Sequence, residues 1–267
     1  MPSTFPGSLV PRAPTPPMSD RSRKATLGLC IALFVGAAVL PADAAIVQRL
    51  NYETGNLGQW TAVQALPGRA SIVRSPVRQG RFAARFVVRP GDDPIGASGE
   101  RSEVLALTGE GEGVESWWAW STRFPRGFRP NPGSWNVFTQ WHHTGSLCTI
   151  PVSFVVDKPS GARAWLKVVV RGGRLNVQSC EAETQREWRV VPLRRGRWYD
   201  FRFHVRWSAD QSLGFVELWV NRKRRIALTA TATLYRGEGV YLKQGFYRGA
   251  GSWPAAVVHD GMRRFTP

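Results

Sequence analysis

The chain has 267 residues, 43% of them hydrophobic, and 36 Lys+Arg face 19 Asp+Glu for a formal charge of +17. That length and apolar content suffice for a large core and exclude a disordered body. The cation excess points to a polyanionic partner, because charge steers association with surfaces of opposite sign; nucleic acid, anionic lipid and acidic polysaccharide all qualify.

In chain order, the first segment to read is the leader. Arg21, Arg23 and Lys24 precede an apolar run from Ala25 to Leu40, and Ala42-Asp43-Ala44 supplies small residues for cleavage. This is the layout of a secretory signal peptide, so residues 1–44 are expected to be removed and the mature chain, 45–267, to be periplasmic or secreted. A membrane anchor is the competing reading, but the run falls short of the roughly 20 residues a spanning helix needs. Met18 as the start would give a leader of ordinary length, about 18–44. Losing residues 1–44 removes Arg12, Arg21, Arg23 and Lys24 but only Asp20 and Asp43, so the cation excess persists. Cys30 leaves with the leader. Cys148 and Cys180 then remain as a single pair, which an oxidising compartment favours bridging. With no CxxC and no His/Cys cluster, a zinc site is not expected.

From Ala45 onward, short β-branched and aromatic segments are parted by Gly, Pro, Asn and Asp, with no long helical periodicity, repeat or linker. Such spacing predicts one all-β domain over 45–267, a sandwich or jelly roll of two antiparallel sheets. Strands are expected at 81–89, 116–124, 136–139 and 164–170, the last closed by Gly172-Gly173. Further strands are expected at 199–207, where Tyr199, Phe201, Phe203, Val205 and Trp207 alternate with polar residues, and at 215–221. Most of the 12 tryptophans fall in these strands and read as packing aromatics.

Three segments are harder to explain as scaffold. Arg101-Ser102-Glu103-Val104 follows a Gly-rich stretch (Gly91 to Gly99), and alternation puts Arg101 and Glu103 on one face. In Gln140-Trp141-His142-His143, Gln140 and His142 share a face and Trp141 opposes them. In 241–248, Tyr241, Lys243, Gly245 and Tyr247 share a face opposite Leu242 and Phe246. Taken singly these residues have ordinary explanations: a cross-strand ion pair, a hydrogen-bonded histidine, a packed tyrosine; His204 and His259 read as structural. Together they form the parts of a β-elimination site for a uronic-acid chain. Such a site needs donors on the carboxylate, a base at C5 and an acid at the glycosidic oxygen. Arg101 and Gln140 suit the carboxylate, His142 or Tyr247 the base and Tyr247 the acid, with Lys243 favouring the phenolate.

These segments resemble the signature motifs of the jelly-roll polysaccharide lyases, the group of alginate lyases, glucuronan lyases and heparin lyase I-like proteins. Arg101-Ser102-Glu103-Val104 is similar to the R-S/T-E-L motif, with Val for Leu, and Gln140-Trp141-His142 to Q-x-H. Residues 241–247 are similar to Y-F-K-x-G-x-Y, with Leu242 where Phe is usual. Tyr247-Arg248 stands in place of the Tyr-Asn-Gln of alginate lyases, which leans toward the glucuronan- and heparin-lyase side. Residues 53–60, 216–221 and 257–263 are similar to the family's scaffold.

The resemblance implies a lyase that leaves 4,5-unsaturated uronyl ends. It implies catalytic Arg101, Gln140, His142 and Tyr247, and substrate contacts from Glu103, Tyr241, Lys243 and Arg248. No catalytic cofactor is implied; Glu53 and Asp260 would be ligands of a structural calcium ion. The expected partner is an anionic polysaccharide, with no nucleic acid, no membrane once the leader is gone, and a monomeric chain. Two other readings compete. A glycoside hydrolase on the same sandwich needs two flanking carboxylates, for which no E-x-D-x-E segment is present. A non-catalytic carbohydrate-binding module would keep the basic face but has no need of Tyr247 and His142 together.

Overall fold

The computed structural model describes residues 45–145 and 148–266. The leader expected over 1–44 lies outside them. Fifteen strands follow in chain order: β1 (Ile46–Leu50), β2 (Ala62–Gln64), β3 (Ala70–Val73), β4 (Ala83–Val88), β5 (Glu100–Glu110), β6 (Glu115–Arg123), β7 (Asn136–His143), β8 (Val152–Asp157), β9 (Trp165–Asn176), β10 (Glu181–Pro192), β11 (Trp198–Arg206), β12 (Phe215–Val220), β13 (Lys223–Ala230), β14 (Val240–Arg248) and β15 (Ala255–Phe265). They pair antiparallel into two sheets. One runs β10-β9-β8-β7-β14-β5-β2 and is called here the site sheet; the other runs β13-β12-β11-β6-β15-β4-β3, with β1 on the far half of β15, and is the back sheet.

Period-two alternation explains the stacking. Trp118, Trp120, Phe201 and Phe203 point from the back sheet into the interlayer, and Trp141, Phe154, Leu242 and Phe246 meet them from the site sheet. The rings interlock edge to face, with Trp118 and Trp141 5.3 Å apart and Trp120 and Phe154 4.9 Å apart. Truncating one such ring to alanine would cost about 3–5 kcal/mol. The hairpin joining β12 to β13 turns at Asn221 and Arg222, both in the left-handed region (φ 52° and 64°) that two-residue hairpins use.

The strand expected to close at Gly172-Gly173 instead continues to Asn176. Those glycines allow close approach rather than a turn: a Cβ on Gly172 would strike the backbone of Ala232, and Gly173 forms a bridge with Tyr235. The hairpin turns later, beside the disulfide between Cys148 and Cys180.

Two buried groups tie β14 to the other layer from inside. The Tyr52 hydroxyl donates to Gln244 Oε1 at 2.7 Å, and His259 Nε2 donates to the Gly245 carbonyl at 3.0 Å, while Thr122 donates to His259 Nδ1. Burial pushes His259 down to about 3, so it is a neutral strut. His204 is likewise structural, stacked on Trp117 between Glu115 and Glu217.

Candidate active site

Strand β14 lies at the centre of the site sheet between β5 and β7, so the three unusual segments become neighbours. The register forms rows across the outer face. Arg101, Tyr247 and Val137 form one; Glu103 stands opposite Gly245; Leu105, Lys243 and Gln140 form the next; Tyr241 pairs with His142 in the last. Trp141, Leu242 and Phe246 point into the core as alternation requires.

Glu103 is the hub. Its carboxylate accepts Gln140 Nε2 at 2.6 Å, holds Lys243 Nζ at 2.7 Å and lies 3.7 Å from an Arg101 nitrogen. Strands β5 and β7 are two spacings apart, about 9.6 Å, so Glu103 and Gln140 meet only by arching over β14. They do so where β14 presents Gly245, which contributes no side chain. Gly245 has φ +149°, and a Cβ there would strike the Ser102 carbonyl and Glu103 Cα. A side chain at this position would therefore collide with β5.

Tyr247 stands at one end of this floor, half-buried. The Arg101 guanidinium lies 4.3 Å over its ring, and its hydroxyl is 3.0 Å from Ser98 Oγ. Ser98 also accepts Arg101 through its carbonyl at 2.5 Å, so the loop before β5 grips both residues. Gly99 permits this: a Cβ there would press on the Tyr247 ring and the Arg248 carbonyl. Trp135, 46% exposed, flanks the phenol with ring centroids 5.9 Å apart.

His142 stands at the other end, 5.4 Å from the Tyr241 ring. Its Nδ1 lies 2.9 Å from the His143 carbonyl, which can only accept, so Nδ1 carries the proton and Nε2 is the free acceptor. Burial pushes His142 down to about 4. At neutral pH it is an uncharged acceptor, unsuited to neutralising a carboxylate. Burial, then the charge of Glu103, push the Tyr241 phenol up, so it stays protonated and donates. Tyr241 and Tyr247 are six residues apart, roughly 20 Å along an extended strand.

Several expected roles are redistributed. Arg248 does not reach this face: it is fully buried in an ion pair with Glu100 at 2.8 Å, on the opposite side of β14. The carboxylate of Glu103 is surrounded by the protein donors Gln140, Lys243 and Arg101, and orients them rather than meeting an anionic substrate. Lys243 is spent on Glu103, and the cation beside Tyr247 is Arg101. One pair was missed from the sequence. His143 Nδ1 donates to Glu238 Oε2 at 2.5 Å, and its ring stacks on His142 at 4.8 Å and 5°. Glu238 also accepts the Gly145 amide at 3.2 Å. These contacts brace the backbone carbonyl that fixes the tautomer of His142. Glu238 is 95 residues from His143, and no local pattern announces the pair.

Away from this face, Glu53 accepts the amides of Arg81 and Phe82, and Asp260 Oδ2 those of Arg78 and Gln79. Burial, with Glu53 adding repulsion, raises Asp260 to about 6, and Asp260 Oδ1 is buried with no donor. Among the described residues no group of three or more His, Cys, Asp or Glu could hold a metal ion, so an ion there would draw further oxygens from carbonyls or water.

A family model described as polysaccharide lyase matches residues 52–263. A search of the curated proteins found no match. Among solved structures, the chain is similar to the endo-β-1,4-glucuronan lyase of the fungus Trichoderma reesei: 18% identity, TM-score 0.67, covering 84% of this chain and 96% of that one. The alginate lyase AlyC3 is similar at 11% identity and TM-score 0.52, over 68% of this chain and 74% of that one. A GH131 β-glucanase catalytic domain from Podospora anserina reaches 11% identity and TM-score 0.54, over 77% and 83%. At such identities the likeness concerns the fold, which hosts more than one chemistry.

Proposed function

The chain belongs to the polysaccharide lyase family, and from that premise we propose that it cleaves a uronic-acid-containing polysaccharide by β-elimination on the outer face of the site sheet. The observation that carries this reading is the convergence of Arg101, Gln140 and Lys243 on buried Glu103, with Tyr247 at the rim under Arg101. A hydrolase would need two carboxylates flanking the bond; among the described residues the floor between β5 and β7 holds Glu103 alone, and its donors already engage it.

In this mechanism Arg101 and the second N–H of Gln140 bind the uronate carboxylate, drawing charge from C5. Tyr247, as phenolate, takes the C5 proton. The C5–H electrons form the C4–C5 double bond and the C4–O4 bond breaks. The leaving O4 receives the proton from Tyr247, which returns to phenolate. Arg101 over the ring and Ser98 on the oxygen hold the negative charge at each end of that cycle. Tyr247 is assigned both transfers because it shares a row with Arg101, while an imidazole with a pKa of about 4 is a weak base for a carbon acid. His142 Nε2 then accepts a sugar hydroxyl, and Tyr241 donates one.

The proposal extends to export, which the pairing of Cys148 with Cys180 supports, and to a calcium ion at Glu53 and Asp260, for which the orphaned Asp260 Oδ1 is the fitting feature. Such an ion would be structural and take no part in the elimination.

The test is the ultraviolet absorbance of the new double bond conjugated to its carboxylate, with glucuronan, alginate, heparin, hyaluronan and pectate as substrates. A rise with one polymer, lost in Tyr247→Phe, establishes the reaction and names the substrate. Binding with no rise on any polymer would make this face a carbohydrate-binding surface instead.

A further inference from the structure

The outer face of the back sheet carries a depression of its own. The register places Trp219, Arg202, Ala119 and Arg263 in one row across β12, β11, β6 and β15. Ala119 is the small member, so its neighbours stand around it as walls. The recess over it measures about 250 Å³ and is also lined by Arg222 and Asp200.

Three properties of the walls matter. Trp219 is held from behind by Trp117, ring centroids 5.5 Å apart, so its indole is fixed. Arg222 is carried by the tight β12–β13 turn and is exposed, and Arg263 Nε is buried without a partner while another of its nitrogens donates to Gln79. Among the lining residues the one carboxylate, Asp200, is already clamped by Arg78 at 2.6 and 2.8 Å and by Ser121 at 2.9 Å. Arg78 therefore offsets Asp200, and Arg222 and Arg263 bring positive charge to the recess. Guanidinium groups match the planar acceptors of carboxylates and the tetrahedral oxygens of sulfates, and Trp219, itself 8% exposed, gives the recess a fixed apolar wall.

We propose that this recess is a second, non-catalytic site that binds one acidic sugar unit of the polysaccharide cut on the opposite sheet. The polymer's identity rests on the function proposed above; the recess's affinity for an acidic sugar rests on its own residues. A site on the far layer would anchor the enzyme to one stretch of a polymer while another stretch, or another chain, lies across Tyr247.

The experiment is a calorimetric titration of the full mature chain carrying Tyr247→Phe, which prevents turnover, with uronic-acid hexasaccharides and a neutral glucan hexasaccharide. Two sites per chain are expected for the acidic sugar and none at the recess for the neutral one. Two variants act there independently. Ala119→Leu fills the floor, and Arg222→Asn removes a charge with a residue that tolerates the left-handed turn. Each should weaken one site at least tenfold and leave the other unchanged. With Tyr247 restored, each should preserve the rate on short oligosaccharides while lowering it severalfold on high-molecular-weight polymer. A one-site isotherm, a second site indifferent to both variants, or equal binding of the neutral glucan would overturn the proposal. If no polymer yields unsaturated product yet an acidic oligosaccharide binds and Ala119→Leu abolishes that binding, the recess stands and the elimination reading falls.

Discussion

The two outer faces of the sandwich are each lowered at one small residue, but to different ends. On the site sheet the gap is Gly245, and polar groups from three strands collapse into it around one carboxylate; on the back sheet the low point is Ala119, and Trp219, Arg222 and Arg263 stand around an open space. The first arrangement is drawn together around a buried carboxylate by an amide and two cations, which suits a face proposed to hold a base and donors at fixed spacing. The second keeps its capacity for a ligand. Burial of the counter-charge separates the proposed reaction site from the proposed binding recess.

That contrast can be broken at its sharpest point by removing one oxygen. Tyr247→Phe keeps the ring under Arg101 and against Trp135, so acidic oligosaccharides should bind within a fewfold of the parent while kcat falls by about 10²–10⁴ or more. Titration and progress curves on the same preparation separate the two effects. Full activity in this variant would remove Tyr247 from the mechanism.

Next in size is Gly245→Ala. The added methyl meets the β5 backbone, and the positive φ is unfavourable for alanine, so a loss of about 3 kcal/mol or more is expected in chemical denaturation. The matching change on the other face, Ala119→Leu, should leave stability within about 1 kcal/mol because its recess is empty of protein. Equal destabilisation by both would mean that the two faces are packed alike.

Glu238→Gln probes the bracing of His142. It retains a side-chain acceptor for His143 but removes the charge, and roughly a tenfold drop in kcat with KM little changed is expected, read from initial rates. A change confined to KM would make the pair a substrate contact.

The smallest effect is in pH. His142 and His259 stay neutral in the fold down to about 4 and about 3, mainly through burial. The unfolded chain therefore binds more protons below pH about 6.5, and stability falls as pH drops from there toward 4. Glu110, raised by burial to about 7, and Asp260, at about 6, work in the opposite direction: their contribution is present at low pH and is lost as pH rises through those values. His259→Gln should cost stability at every pH yet reduce the acid-side slope by roughly 1 kcal/mol per pH unit. Urea midpoints at pH 7 and 4.5, compared with the parent, give that slope.

Much of this was legible in the sequence because strands alternate with period two. The pattern in 199–207 and 241–248 assigned each residue to a face, and Trp141, Leu242 and Phe246 lie in the core as alternation demands. Alternation says nothing about how far a side chain reaches. Glu103 shares a face with Arg101, yet it lies beneath a canopy of donors that three separate strands supply. Arg248, next to Tyr247, is turned inward to Glu100, and only that buried partner, 148 residues away, explains a charge in the core. Gly172-Gly173 looked like a turn because glycine also serves close packing, and composition does not separate the two uses. The pairs His143–Glu238 and Tyr52–Gln244 join distant segments with no local signature.

The order of the strands has a consequence in time. The centre of the site sheet is β14, and β15 lies between β6 and β4 in the back sheet. These are the last two of the described strands, and each inserts between neighbours synthesised long before. Neither layer can close until they arrive, and such non-local pairing is slow. A nascent chain ending before Val240 would lack Lys243 and Tyr247 as well as the struts of both sheets. Catalytic competence and a closed sandwich are thus acquired together, once β14 and β15 have been made, and a chain lacking them would hold its edges open for whatever machinery is handling it.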